Sequence, residues 1–126
     1  MQSTILVIDD QWSMQEYARL VLQTAGYCVL LANDTITGLS LARTEHPDAI
    51  LMDSRIGAKM ILQALRRDLK TASIPVILIT LQPQDEELTA GVCASTSGFL
   101  QKPFQPPALL TAIEGMLNHA PMPIAV

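Results

Sequence analysis

Five short apolar runs recur along the chain with longer amphipathic stretches between them: "TILVID" (residues 4–9), "YCVLLA" (27–32), "DAILMD" (48–53), "PVILIT" (75–80) and "SGFL" (97–100). They are almost continuously hydrophobic, the pattern of strands covered on both faces. A parallel sheet requires that cover, because each crossover connection lays a helix on one face or the other. The stretches between the runs support the reading. Met14, Ala18, Val21 and Ala25 recur at three- and four-residue steps, with Ser13 placed to cap the start and Gly26 to end it. Similar helical patterns cover 35–45, 58–70, 85 to about 94, and about 106 to 119, where prolines suit a first turn. Five strands alternating with five helices predict a single doubly wound α/β sheet. At 126 residues, 49% of them hydrophobic, the chain has the size and apolar content for one core. Residues 1–120 are expected to form the domain, and 121–126, "PMPIAV", an irregular tail.

Composition narrows the function classes. The net charge of −4 is spread without a basic patch, and "LRRDLK" (65–70) reads as the cationic end of a helix, so nucleic acid is not an expected partner of this domain. No apolar run is long enough to cross a bilayer, and "MQSTILVIDD" lacks the pattern of a secretory signal, so a cytoplasmic protein with no membrane partner is expected. Cys28 and Cys93 lie in apolar stretches without metal-ligand spacing and are read as small buried hydrophobes. His46 and His119 are read as surface residues. Trp12 is read as a partly exposed loop aromatic without a catalytic role.

In a doubly wound sheet the ligand site lies at the carboxyl ends of the strands, so the residues that end each run are the informative ones. The first run ends in Asp9 and Asp10, the third in Asp53, the fourth in Thr80, and the fifth, after Gln101, in Lys102. Parallel strands bring these ends to one edge. Three carboxylates there repel one another unless a cation or proton balances them, and a hard divalent ion such as magnesium suits an oxygen-rich site. A metal seat, a nucleophilic carboxylate, a hydroxyl and a fixed cation are together the parts needed to move a phosphoryl group. Singly, each residue has an ordinary explanation: an aspartate at a strand end is more often a turn former, a lysine before proline a solvated one, a threonine a β-branched strand residue. The combination carries the reading.

"ILVIDD", "DAILMD", "VILIT" and "FLQKPF", in this order over nearly the whole chain, resemble the signature segments of the receiver domain of bacterial response regulators, close to the chemotaxis regulators. The resemblance implies the flavodoxin-like strand order 2-1-3-4-5. It implies that Asp53 accepts a phosphoryl group from a sensor histidine kinase or phosphotransfer protein. Asp9, Asp10, Asp53 and the backbone carbonyl of Arg55 would hold Mg2+. Thr80 would bond a phosphoryl oxygen, and Lys102 would pair with the carboxylate and then the phosphate. A cis bond is implied before Pro103. Thr80 and Phe99 match the pair that switches conformation and signals to a downstream partner, through a surface built from the 85–94 segment, the fifth strand and the last helix. No separate cofactor-binding residues are implied, and no turnover of an external substrate beyond the domain's own phosphorylation and dephosphorylation.

The sequence also departs from the family pattern. The segment after Asp53, "SRIGAKMILQALRR", is shorter by a few residues and lacks the usual methionine-proline pair. Leu81 follows Thr80 where the family prefers a very small residue, and Arg55 and Gln82 stand at positions that tune phosphate loss. The short loop and Leu81 favour one alternative, a phosphorylation-independent interaction domain. A haloacid-dehalogenase-type phosphohydrolase would need a second aspartate two residues after the nucleophile, and "DSR" supplies Arg55 instead. A flavin-binding domain would need a serine- and threonine-rich loop after the first strand, which is missing. The charged residues that pair dimers in one large receiver subfamily are not evident, so a monomer is expected before phosphorylation.

Overall fold

The computed structural model describes residues 2–55, 57–81 and 98–118. In chain order the elements are β1 (Thr4–Ile8), α1 (Trp12–Thr24), β2 (Cys28–Ala32), α2 (Thr35–Glu45), β3 (Ala49–Asp53), α3 (Ala58–Arg67), β4 (Val76–Thr80), β5 (Gly98–Gln101) and α4 (Pro106–Asn118). All strand pairs are parallel, in the expected order β2-β1-β3-β4-β5. The helix expected over 85–94, the 121–126 tail, Gln82, Cys93 and His119 lie outside the described residues.

Side-chain alternation along each strand divides the core in two. Leu6, Ile8, Ile50, Met52, Val76 and Leu78 face one side, where they meet Ala42 of α2 and Ile61, Leu62 and Leu65 of α3. Ile5, Val7, Ala49, Leu51, Ile77 and Ile79 face the other, against Ala18 and Leu22 of α1 and Leu109 and Ile113 of α4. Every residue of β3 and β4 is buried, so the continuous hydrophobicity of these runs reflects cover on both faces.

Several local expectations are corrected. Ser13 does not cap α1: the helix starts at Trp12, and Gln11 holds the cap position without a side-chain cap bond. Trp12 is therefore a helix residue, strongly exposed, and not a loop aromatic. The buried face of α1 runs through Gln15, Ala18 and Leu22, with Met14 and Val21 half-buried and Ala25 exposed just past the helix end. Gly26 does follow that end at φ 99°. Cys28 is exposed, because it opens the edge strand β2. α3 ends at Arg67, three residues early. Asp68 turns extended there, the Thr71 hydroxyl donates to the Leu65 carbonyl, and Arg66 donates to the carbonyls of Ala72 and Ile74, fixing the approach to β4. His46 is exposed as expected, in a left-handed conformation at φ 48°.

α2 lies close against β1 at Gly38, where an added Cβ would lie 2.7 Å from Ile8 Cδ1 and 3.0 Å from its Cγ1. Ile8 is fully buried directly before Asp9, so its side chain can yield only by disturbing the packed core around it. Gly38→Val is expected to lower stability by about 2 kcal/mol or more in chemical denaturation. An unchanged midpoint would show that α2 can move off the sheet.

Candidate functional site

The carboxyl ends of the strands gather the predicted polar residues at one edge. Ile8 and Met52 are register partners in β1 and β3, so the next residues, Asp9 and Asp53, end neighbouring strands side by side. Both are about 1% exposed. Carboxylate oxygens of Asp9, Asp10 and Asp53 all lie within 4.8 Å of one another, with Asp10 exposed and the other two buried.

Two cations meet Asp53. Lys102 reaches it from the loop after β5, with Nζ 2.7 Å from Oδ2, and its backbone N–H donates to the Thr80 carbonyl. Next in the chain comes the Lys102–Pro103 peptide bond, which is cis as expected. Tyr17 of α1 braces the same loop: its hydroxyl donates to the Phe104 carbonyl at 2.9 Å, and the two rings stand 5.6 Å apart. The second cation is Arg55. Its backbone N–H donates to Asp53 Oδ1 at 2.7 Å, a turn closed by the aspartate itself, and the turn folds the guanidinium back onto that carboxylate. Nε lies 3.3 Å from Oδ1, Nη2 lies 3.2 Å from Oδ2, and Nη2 is 3.9 Å from Asp10 Oδ1.

These contacts push the buried carboxylates in opposite directions. Burial alone would raise the Asp53 pKa, but hydrogen bonds from Arg55 and Lys102 outweigh it and lower the value from 3.8 to about 2. Asp9 is raised, mainly by burial and further by the charge of Asp53, against a backbone hydrogen bond from Gln11 that favours its ionised form. The Arg55 guanidinium is held charged by its bond to Asp53.

Asp9 Oδ2 is buried and has no hydrogen-bond partner among the described residues. An orphaned carboxylate oxygen beside two further carboxylates fits a hard divalent cation, which would supply the missing partner. Asp9, Asp10 and Asp53 are the side chains that could hold it.

Thr80 is buried at the end of β4, one position beyond Ile79, the register partner of Asp53. Phe99 is half-buried in β5 opposite Leu78 and packs on the α2/α3 side of the core. It is thus built into the sheet. Leu81 is 60% exposed, so its side chain stands out from the edge and does not fill the core. Sequence reasoning missed Gln15, whose buried side-chain amide donates to the carbonyls of Asp9 (2.6 Å) and Ala32 (3.2 Å) and ties the ends of β1 and β2 to α1. A polar residue on an otherwise apolar helix face was the available signal. Sequence reasoning placed Arg55 at a position that tunes phosphate loss and gave its carbonyl to the metal, but missed that its guanidinium pairs with the Asp53 carboxylate itself.

A sequence-family model described as "Response regulator receiver domain" matches residues 5–114. The DNA-binding dual master transcriptional regulator RpaA of Synechocystis is 34% identical over 118 residues, covering 91% of this chain and 49% of its own length. This chain thus spans about half the length of the curated relatives it matches. Among solved structures, the chemotaxis response regulator CheY4 of Vibrio cholerae superposes with a TM-score of 0.85 at 27% identity, covering 93% of this chain and all of that one. The receiver domain of sensor histidine kinase PA1611 of Pseudomonas aeruginosa, which holds a magnesium ion in its active-site cleft, shares the fold with a TM-score of 0.84 at 24% identity, over 94% of this chain and 99% of that one.

The raised Asp9 makes its charge a cost to the folded state. A group whose pKa is higher folded than unfolded destabilises the fold while ionised and is relieved as pH falls through the folded value. Asp9→Asn keeps an oxygen for the Gln11 N–H and is expected to raise the thermal midpoint by several degrees at neutral pH in metal-free buffer, with the gain shrinking on acidification. A lowered midpoint at neutral pH would show that the Asp9 charge is satisfied in the fold.

Proposed function

Because the chain belongs to the response-regulator receiver domain family, we propose that it is the phosphoacceptor module of a two-component system, with Asp53 as the acceptor. The observation that carries the reading is the Asp53 carboxylate: 1% exposed, held ionised by Lys102 and Arg55, and set beside Asp9 and Asp10. A carboxylate kept charged in a buried site is a poised nucleophile. In the reaction an Asp53 oxygen forms a bond to phosphorus as the donor's P–N bond breaks, and the donor histidine leaves as a neutral imidazole after taking a proton.

Lys102 is placed to follow the charge from the carboxylate to the incoming phosphoryl oxygens, and Thr80 to donate its hydroxyl to one of them. Asp9, Asp10, Asp53 and the Arg55 carbonyl would hold Mg2+, which when bound neutralises charge developing on the transferred group. The magnesium seen in the PA1611 receiver supports this assignment by its fold. Movement of Thr80 toward the phosphoryl group would open space for the half-buried Phe99 ring to repack. The changed β5 and α4 surface then reports the state to a downstream protein. The donor is a sensor histidine kinase or phosphotransfer protein, and no external metabolite is turned over. Among the described residues no helix is long and apolar enough to cross a membrane. The DNA-binding function in the name of the RpaA relative belongs to a protein about twice this length.

The test is intact mass spectrometry after incubation with Mg2+ and acetyl phosphate. The protein is expected to gain one phosphoryl group, and Asp53→Asn or omission of Mg2+ is expected to abolish the gain. Equal labelling of Asp53→Asn would remove Asp53 from its role.

A further inference from the structure

Charge around Asp53 can be counted. Three carboxylates lie together, and among the described residues two side-chain cations reach them: Lys102 on Asp53, and Arg55 on Asp53 and Asp10. With Lys102 alone, two negative charges remain, which one divalent ion matches. With the Arg55 guanidinium also engaged only one remains, and a divalent ion would leave the cluster positive. The guanidinium and the ion are therefore alternatives by charge. They are alternatives by place as well, because the guanidinium spans both oxygens of Asp53 and reaches toward Asp10, the oxygens that a cation shared by these aspartates would use.

We propose that the Arg55 side chain is a built-in counter-cation that competes with Mg2+ for the acidic cluster, so that the metal binds only as the guanidinium swings off Asp53. This rests on the phosphoacceptor reading given above. Three features suit such an exchange. The Arg55 side chain is half exposed, so it can leave into water. Its side-chain contacts with Asp53, at 3.2 and 3.3 Å, are longer than the 2.7 Å of Lys102, whose side chain is only 13% exposed, so Arg55 is the more readily displaced of the two cations. The turn itself is held by the Arg55 backbone N–H on Asp53, so the side chain can depart while the backbone keeps its bond. Asp9 Oδ2 stays without a partner even with Arg55 in place, so the guanidinium offsets charge without completing the ligand set. It keeps Asp53 ionised when metal is scarce and sets a threshold that the metal must exceed.

The experiment is calorimetric titration of magnesium chloride into the wild-type protein, Arg55→Gln and Arg55→Ala at low ionic strength, with cooperative thermal melts to establish folding. Both variants are expected to bind Mg2+ roughly threefold to tenfold more tightly than wild type. Their melting midpoints are also expected to rise more on adding the same Mg2+ concentration. Equal or weaker binding by the variants would overturn the competition while leaving the phosphoacceptor reading intact. Absence of Mg2+ binding by all three proteins would overturn both.

Discussion

A carboxylate at the end of a central strand, excluded from water, keeps its negative charge only if cations come to it, and at Asp53 the one that reaches deepest is Lys102. The Nζ–Oδ2 contact of 2.7 Å joins residues 49 positions apart in sequence and links β3 to the loop after β5, two strands away. Removing one partner of such a pair leaves an uncompensated buried charge, which costs more than the pair itself contributes. The surrounding contacts support this meeting. The Lys102 N–H bonds the Thr80 carbonyl, Tyr17 holds the Phe104 carbonyl, and the Gln15 amide holds the Asp9 carbonyl. Each acts on backbone, so the positions of the charged groups follow from the chain path and depend little on their own flexible side chains.

The parallel sheet is what makes the meeting possible. Its strands all end at the same edge, and the order β2-β1-β3 places Asp9 and Asp53 on adjacent strands although 44 residues separate them in sequence. The two apolar clusters on opposite faces lock each strand in register, because a one-residue slip would turn every buried side chain to the other face. The register that buries Ile8 and Met52 therefore also fixes the two carboxylates beside each other.

The sheet and its polar edge were legible in the sequence because both are carried by short continuous segments. The run "DAILMD" contains its own strand and its own strand-end aspartate, and "FLQKPF" contains the strand, the lysine and the proline that follows it. What could not be read depends on side-chain direction and loop path. Ser13 has the chemistry of a cap, yet Asp9 accepts the Gln11 N–H, and the helix begins one residue before the serine. Cys28 sits in an apolar run but opens an edge strand, where one side of the backbone has no neighbouring strand to cover it. Arg55 was placed near the site by number, but only the short turn after β3 shows its guanidinium folding back onto Asp53. Gln15 gave a polar signal on an apolar face, and periodicity alone could not say which carbonyls it meets.

The same crowding that costs stability is what the proposed function would use. Asp9 and Asp53 stand on neighbouring strands in an interior that penalises both, and their pKa values move apart because the cations reach one and not the other. Relieving this by neutral side chains would yield a calmer sheet edge with nothing to attract a cation or to answer a phosphoryl group. Retaining it means that any change of charge at the edge, whether an ion entering or a phosphoryl group attaching, alters the balance held by Lys102 and Arg55. Lys102 is joined through its backbone to Thr80, and β5 pairs with β4 in the sheet, so on the phosphoacceptor reading proposed above a shift in that balance would be passed to the strand pair that carries Phe99. The proposed route from charge to shape would therefore be short, running through a bonded loop and one strand pair.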